Sequence, residues 1–302
     1  MWGELFSLAA AATWAVGVIL YRQLGLSLSP LKLNFLKNLL VLAALAPLAL
    51  LVDGVGGFRL PLADLILALA SGAIGIAVAD TLYFRALNAL GAGRLGILGN
   101  SYSPWIIVLS MLLLDERLSA SQWLGFALVS AGVLLVVWPG RTPLRATGHG
   151  SDGVPGGPVR TGLAAVLGAF SIFLMALSVV MIKPTLEAQP LLPVTVIRMA
   201  GALIGMLMLA GLRGGLTHLW PKPNTTPWRR LAVAALFGQA LSMVFWLAGY
   251  KLTAASVAAI LNETASIFIL LLAWLWLGER PGARGLAGVS LALLGVACML
   301  LY

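Results

Sequence analysis

The chain has 302 residues, of which 61% are hydrophobic and only 10% charged, and its mean hydropathy is +1.01. Soluble domains carry roughly 25% charged residues, so this composition excludes a water-soluble fold and implies a chain that is nearly all membrane. The single cysteine, Cys298, excludes an internal disulfide framework. The two histidines, His149 and His218, both lie in polar connections, so neither a metal site nor any other cofactor is expected.

A bilayer core is crossed by about 20 apolar residues of helix, each backbone group bonded within its own segment. Runs of that size fall at 3–23, 31–52, 62–86, 92–114, 119–139, 161–181, 191–211, 228–252, 255–277 and 282–302. They predict an all-α polytopic membrane protein with ten transmembrane helices. No Lys or Arg precedes the first run, so the basic start of a cleaved signal peptide is missing and the first helix is expected to be retained. Asp80, Arg85 and Arg94 crowd the short junction between the third and fourth runs. Residues 140–160, rich in Gly and Pro with Arg141, Arg145 and Asp152, read as a flexible linker between a first unit, 1–139, and a second, 161–302.

The two units resemble each other. A shift of 163 residues pairs Ile97 with Ile260, Leu98 with Leu261, Leu109 with Leu272, Glu116 with Glu279, Arg117 with Arg280, Gly125 with Gly288 and Gly132 with Gly295. A shift of 161 pairs Arg22 with Lys183 and Lys37 with Arg198. Chance explains Leu matches in so apolar a chain; it does not explain a Glu-Arg pair at matching helix junctions. With five helices per unit, an odd number, the second must enter the membrane from the opposite side, so the expected architecture is two inverted five-helix repeats about a pseudo-two-fold axis in the membrane plane. The cleft between such halves can open to either face, which is transporter architecture.

Charge sets the expected orientation. Connections after odd-numbered helices hold Arg22, Lys32, Arg85, Arg94, Arg141, Arg145, Arg160, Arg213, Lys222, Arg229, Arg230, Arg280 and Arg284. The other set holds Arg59, Arg117, Lys183 and Lys251. The positive-inside rule then places the first set in the cytoplasm and both termini outside an inner, plasma membrane. The net charge of +9 is read as a topology and lipid signal, with no nucleic-acid partner.

The run Tyr83-Phe84-Arg85-Ala86-Leu87-Asn88-Ala89-Leu90, then Ser103-Pro104, Leu113-Leu114-Asp115-Glu116-Arg117, Gly125 and Gly132, resembles one repeat of the EamA branch of the drug/metabolite transporter superfamily. The second half echoes it with Leu277-Gly278-Glu279-Arg280, Gly288 and Gly295. The likeness covers essentially the whole chain. Two positions depart from it: Asp115 stands where the family usually has Gly, and Ser266-Ile267 stand where the first half has Ser103-Pro104. The resemblance implies a carrier of ten helices with a cavity lined by the first, third and fourth helices of each half. It also implies that small solutes such as amino acids, other metabolites or drugs are moved, frequently outward.

Within that frame the residues suggest a site. Glu263 lies about eight residues into the ninth helix, roughly 12 Å deep at 1.5 Å per residue. Facing lipid there would cost at least ~2.5 kcal/mol, so it reads as a contact for a substrate ammonium group or a proton-coupling carboxylate, or alternatively as a structural hydrogen bond. Its repeat mate is Asn100, beside Ser101, Ser103 and Pro104, where the proline frees a backbone carbonyl; a plain kink is the alternative. Gln239, Ser242, Trp246 and Tyr250 share one face of the eighth helix. Trp14, Tyr83 and Trp246 are candidate cavity walls that suit an aromatic or apolar amino acid, or are interfacial belt residues, the belt reading being stronger for Tyr21 and Tyr250. Lys37 and Arg198 read as matched structural charges or an anion contact, and Asp80 as a second proton-coupling candidate, part of a gate or of a local ion pair. Glu116-Arg117 and Glu279-Arg280 read as turn locks, a gate or surface charge, and the glycines of the third, fifth and tenth helices as packing residues.

These readings lead to a secondary transporter, not an enzyme, that moves amino acids (aromatic or apolar) or related metabolites outward by alternating access. Its partners are the solute, the lipid bilayer and H+ as a candidate coupling ion, in a monomer or weak dimer. The alternatives are a drug or lipid flippase-like exporter and an intramembrane lipid-modifying enzyme; the latter lacks a membrane histidine or a deep pair of carboxylates.

Overall fold

The computed structural model describes residues 1–24, 28, 30–90, 98–99, 101–137, 158–212, 219, 227–265, 267–268, 271–272 and 283–300. Among the described residues every regular element is helical and there is no strand. Each of the ten expected apolar stretches contains helix. The first half comprises α1 (Trp2–Leu24), α2 (Pro30–Asp53), α3 (Leu62–Gly72) continuing through a π turn (Ala73–Val78) into α4 (Ala79–Leu90), α5 (Tyr102–Leu113) and α6 (Ala120–Val137). The second comprises α7 (Pro158–Ala188), α8 (Leu191–Gly211), α9 (Trp228–Ala235) continuing through a second π turn (Leu236–Leu241) into α10 (Ser242–Leu252), α11 (Ala255–Asn262) and α12 (Ala283–Leu300). Among the described residues five continuous stretches, Leu31–Asp53, Leu62–Tyr83, Gly162–Ala188, Leu191–Gly211 and Trp228–Leu252, are long and apolar enough to cross a bilayer, and α5, α6 and α12 supply shorter apolar helices.

Prolines mark the starts. Pro30 is the first residue of α2, and Pro61, Pro190 and Pro227 stand immediately before α3, α8 and α9, where the missing N–H has no helical acceptor to serve. At the end of α5, Asp115 adopts φ +54. That left-handed conformation suits glycine, the residue the resemblance implies here, and is tolerated by Asp. The turn is closed by the Leu114 and Glu116 N–H groups, both donating to the Ser110 carbonyl at 2.9 and 3.3 Å.

Two features depart from uniform α-helix. The π turns at Ala73–Val78 and Leu236–Leu241 lie 163 residues apart, and each inserts one residue into the ladder and rotates everything beyond it. The ninth apolar stretch also breaks its α-helix at Asn262, with Glu263 and Thr264 in a turn. There the Thr264 N–H and Oγ1 both donate to the Leu261 carbonyl, at 3.2 and 2.6 Å. The same device recurs 163 residues earlier, where the Ser101 N–H and Oγ both donate to the Leu98 carbonyl, at 2.9 and 2.7 Å. In both, a hydroxyl competes for a helical carbonyl and tightens the turn.

Packing uses glycines where helices touch. A Cβ on Gly125 would lie 2.9 Å from the Gly295 carbonyl oxygen, one on Gly295 would lie 2.8 Å from the Gly125 oxygen, and one on Gly132 would lie 2.5 Å from the Gly288 oxygen. Numbers rise along α6 as they fall along α12, so this pair is antiparallel. The contact of Gly125 with Gly295 also maps, under the 163-residue shift, onto that of Gly132 with Gly288. Helices of one half pack into the other: Gly17 of α1 meets Gly238 of the second π turn, and Gly75 of the first π turn meets Ser178 of α7.

The larger core, including Leu36, Val41, Ile76, Val179, Met199 and Leu247, joins α2, α3–α4, α7, α8 and α9–α10. A smaller cluster, including Ile107, Val129, Val133, Ile260, Leu261 and Val296, joins α5, α6, α11 and α12. Apolar side chains such as Leu51, Leu112 and Met208 face outward, as a lipid-facing surface requires.

Candidate functional site

Three polar centres stand out. The first is formed by α2, α4, α8 and the second π turn. Lys37 Nζ donates to Gln239 Oε1 at 3.3 Å and lies 4.0 Å from Asp80 Oδ2. Asn34 Nδ2 donates at 3.4 Å to the Ile76 carbonyl, inside the first π turn where the ladder is interrupted, and Asn38 Nδ2 donates to Asn34 Oδ1 at 3.0 Å. Arg198, only 2% exposed, donates from Nη2 to Ser178 Oγ at 3.2 Å and stands 5.3 Å from the Trp246 ring centroid, within cation–π range. Its Nε and Nη1 are buried with no hydrogen-bond partner among the described residues. Trp246 meets Tyr250 edge to face at 5.1 Å, and the Tyr250 and Tyr102 hydroxyls share a 3.1 Å hydrogen bond. Asp80, Tyr102 and Tyr250 lie within electrostatic reach of Arg198.

The second centre seals the junction of α5, α7, α10 and α11. Glu116 Oε1 accepts the Ala255 N–H at 2.8 Å, and Oε2 accepts the Ser256 N–H at 3.2 Å and the Ser256 hydroxyl at 2.9 Å. It is therefore an N-terminal cap contributed to α11 by a residue far away in the chain. Lys183 Nζ lies 3.9 Å from Glu116 Oε1, pairs with Glu187, and donates to the Tyr250 and Thr253 carbonyls, each at 3.0 Å. Lys251 donates to the Leu186 carbonyl and, at 2.7 Å, to that of Gln189.

The third centre surrounds Glu263. Ser130 Oγ of α6 donates to Glu263 Oε2 at 3.4 Å. Ser103 of α5 lies beside this carboxylate, and Ser103 Oγ and Glu263 Oε1 are buried with no hydrogen-bond partner among the described residues.

The expected site residues thus divide. Gln239 and Trp246 join the first centre, together with Asp80, Lys37 and Arg198. Glu263 and Ser103 form the third, and Ser101 closes the turn before α5. Ser242 Oγ donates to the Ala10 carbonyl at 3.3 Å, fastening α10 to α1. Trp14 is 39% exposed on α1, and Tyr83 is half-buried on α4. Asn100, Ser266, Glu279 and Arg280 lie outside the described residues, as does the side chain of Tyr21. The described polar partners of Glu263, Ser130 and Ser103, differ from those of Trp246, Arg198 and Tyr250.

Three readings change. Tyr250, read from sequence as a belt residue, is 0% exposed because its hydroxyl finds a partner inside. Lys183, counted among connection charges, is buried within α7. Glu116 is neither surface charge nor a lock on its own turn, because its carboxylate is aligned with the free N–H groups of α11. Sequence reasoning missed Tyr102, Ser178 and Asn34; a polar residue in a deep apolar run was their only signal.

A model of the EamA-like transporter family matches residues 1–138 and again residues 162–301. No curated protein matches this sequence. A solved crystal structure superposes with a TM-score of 0.77 at 19% identity, covering 99% of this chain and 96% of its own, a likeness of fold.

Proposed function

Because the chain belongs to the EamA-like transporter family, whose members are membrane transporters of the drug/metabolite superfamily, we propose that it moves small organic solutes across the plasma membrane by alternating access. The solutes are amino acids with aromatic or apolar side chains, or related metabolites, and the direction is outward. The two halves act as inverted repeats that rock about a pseudo-dyad. Support for that geometry comes from the antiparallel α6–α12 glycine ladder, whose contacts exchange under the repeat shift, and from the two π turns and two hydroxyl-closed turns at matched positions.

The observation that carries the reading is the first polar centre. Lys37 and Asp80 come from one half, and Arg198 and Gln239 from the other. Ionised groups at membrane depth face a pathway or each other, and a charge cluster shared by two halves changes its surroundings when those halves move. The Glu116–Lys183 centre closes one junction between the halves. Asp80 and Glu263 are the candidate proton carriers.

Counterflow in proteoliposomes with a panel of radiolabelled amino acids tests the reading. Uptake that saturates and is accelerated by solute on the opposite side is expected; flux that does neither marks a pore and refutes a carrier.

A further inference from the structure

The first centre holds more positive than negative charge. Lys37 and Arg198 contribute two cations and Asp80 one carboxylate, and Asp80 is the one that faces Lys37 at 4.0 Å. Among the other described acids, Glu116, the one felt at neighbouring Tyr250, is engaged with Lys183 and the start of α11, and Glu263 belongs to the third centre. Among the described residues Arg198 is therefore a buried cation with no carboxylate in ion-pair contact; Asp80 reaches it only at longer range and is shared with Lys37. A guanidinium offers five N–H donors in a rigid plane, and here the described partners are one serine hydroxyl and the face of Trp246. Leaving such a charge unpaired is among the most costly arrangements a protein interior can hold. A cation placed so calls for an anion from outside the chain.

We propose that Arg198 is the docking residue for the carboxylate of the transported solute, and that the site prefers an aromatic or apolar monocarboxylate that lacks an ammonium group over the corresponding zwitterion. A monoanion brings the centre to neutrality, whereas a zwitterion leaves the surplus charge and sets an ammonium near Lys37. Guanidinium is the group that best matches planar carboxylate oxygens. Trp246, already stacked on Arg198, offers the adjoining apolar wall. The Tyr102–Tyr250 pair uses one hydroxyl proton for its mutual bond, so the other is available to a carboxylate oxygen.

This assignment rests on the transport reading, so its test separates the two. Three probes share one aromatic body: 3-phenylpropionate, phenylalanine and phenethylamine, an anion, a zwitterion and a cation. Binding to the purified full-length protein in nanodiscs is measured by ligand-dependent thermal stabilisation, and the same probes are used for counterflow. Half-saturation for 3-phenylpropionate is expected at a concentration about tenfold or more below that for phenethylamine, with phenylalanine between, as loss of one charge-assisted contact implies. Arg198→Lys should weaken 3-phenylpropionate binding about tenfold, and Arg198→Gln should weaken it further while the amine, no longer facing a surplus cation, binds more tightly than to the parent. Tighter binding of the amine or of phenylalanine, no binding of any probe, or an Arg198→Gln protein that melts like the parent and binds 3-phenylpropionate equally well would each overturn the assignment. Should Arg198→Gln fail to fold, the order of the three probes on the unaltered protein still decides. Binding in the expected order without counterflow would leave Arg198 as the carboxylate dock and refute the transport reading alone.

Discussion

At the start of α11, both oxygens of Glu116 are met by donors from Ala255 and Ser256, and the neighbouring Lys183 is held by Glu187 and by the carbonyls of Tyr250 and Thr253. In the middle of α8, Arg198 makes one described hydrogen bond and rests on an indole face, with Nε and Nη1 unpaired. Arg198 is 2% exposed, whereas Glu116 is partly buried and Glu187 half exposed, and both clusters lie where the two halves of the chain meet. Their difference is one of completion: a saturated network fixes the elements that carry it, whereas an unsaturated buried one is costly until something else completes it. The first is a clasp, and the second a receptor.

Breaking the clasp should have the largest effect on stability. Glu116→Ala removes the α11 cap and one partner of Lys183, and should lower unfolding free energy by about 3 kcal/mol, read as a lower melting temperature in nanodiscs. Next comes the helix pair between the halves. Gly132→Ala places a methyl 2.5 Å from the Gly288 oxygen and 2.7 Å from the Ala292 nitrogen; both are backbone atoms that cannot rotate away, so a loss of about 2 kcal/mol is expected, with transport falling as the halves are forced apart. The receptor answers in the opposite sense: Arg198→Met, an apolar replacement of an unpaired charge, should leave the melting temperature of the empty protein unchanged or raise it by the equivalent of about 1 kcal/mol. The smallest expected change is at Glu263→Gln, which keeps the side-chain shape beside Ser130 and should alter stability by less than about 1 kcal/mol. Its informative readout is coupling: uptake driven by a pH gradient is expected to vanish while solute exchange persists, and gradient-driven uptake that survives would remove Glu263 as the proton carrier.

The spans were readable because each apolar residue reports on its own surroundings. The seventh expected run, 191–211, coincides with α8, and 31–52 lies within one residue of α2 at either end, both with a proline marking the start. Asp115 was visible as a departure, and its left-handed backbone explains it. The π turns were not readable: no residue type demands an extra residue in the ladder, and Gly75 and Gly238 look like any packing glycine until the opposing helix is in place. Nor was the clasp, since the donors that Glu116 caps lie 139 residues further on in the case of Ala255. Lys37 and Arg198 were visible as a matched pair of charges. Their roles diverge because Asp80 and Gln239 stand beside Lys37, and the position in α4 that holds Asp80 is held by Met243 in α10.

Alternating exposure of the Arg198 centre is the claim on which the account depends, and Ser178 touches that guanidinium. In a Cys298→Ser background, Ser178→Cys can be challenged with a membrane-impermeant maleimide in right-side-out and in inverted vesicles. The account predicts modification from both faces, because each orientation of the halves opens the centre to one side. Modification from one face alone, or from neither, would contradict it.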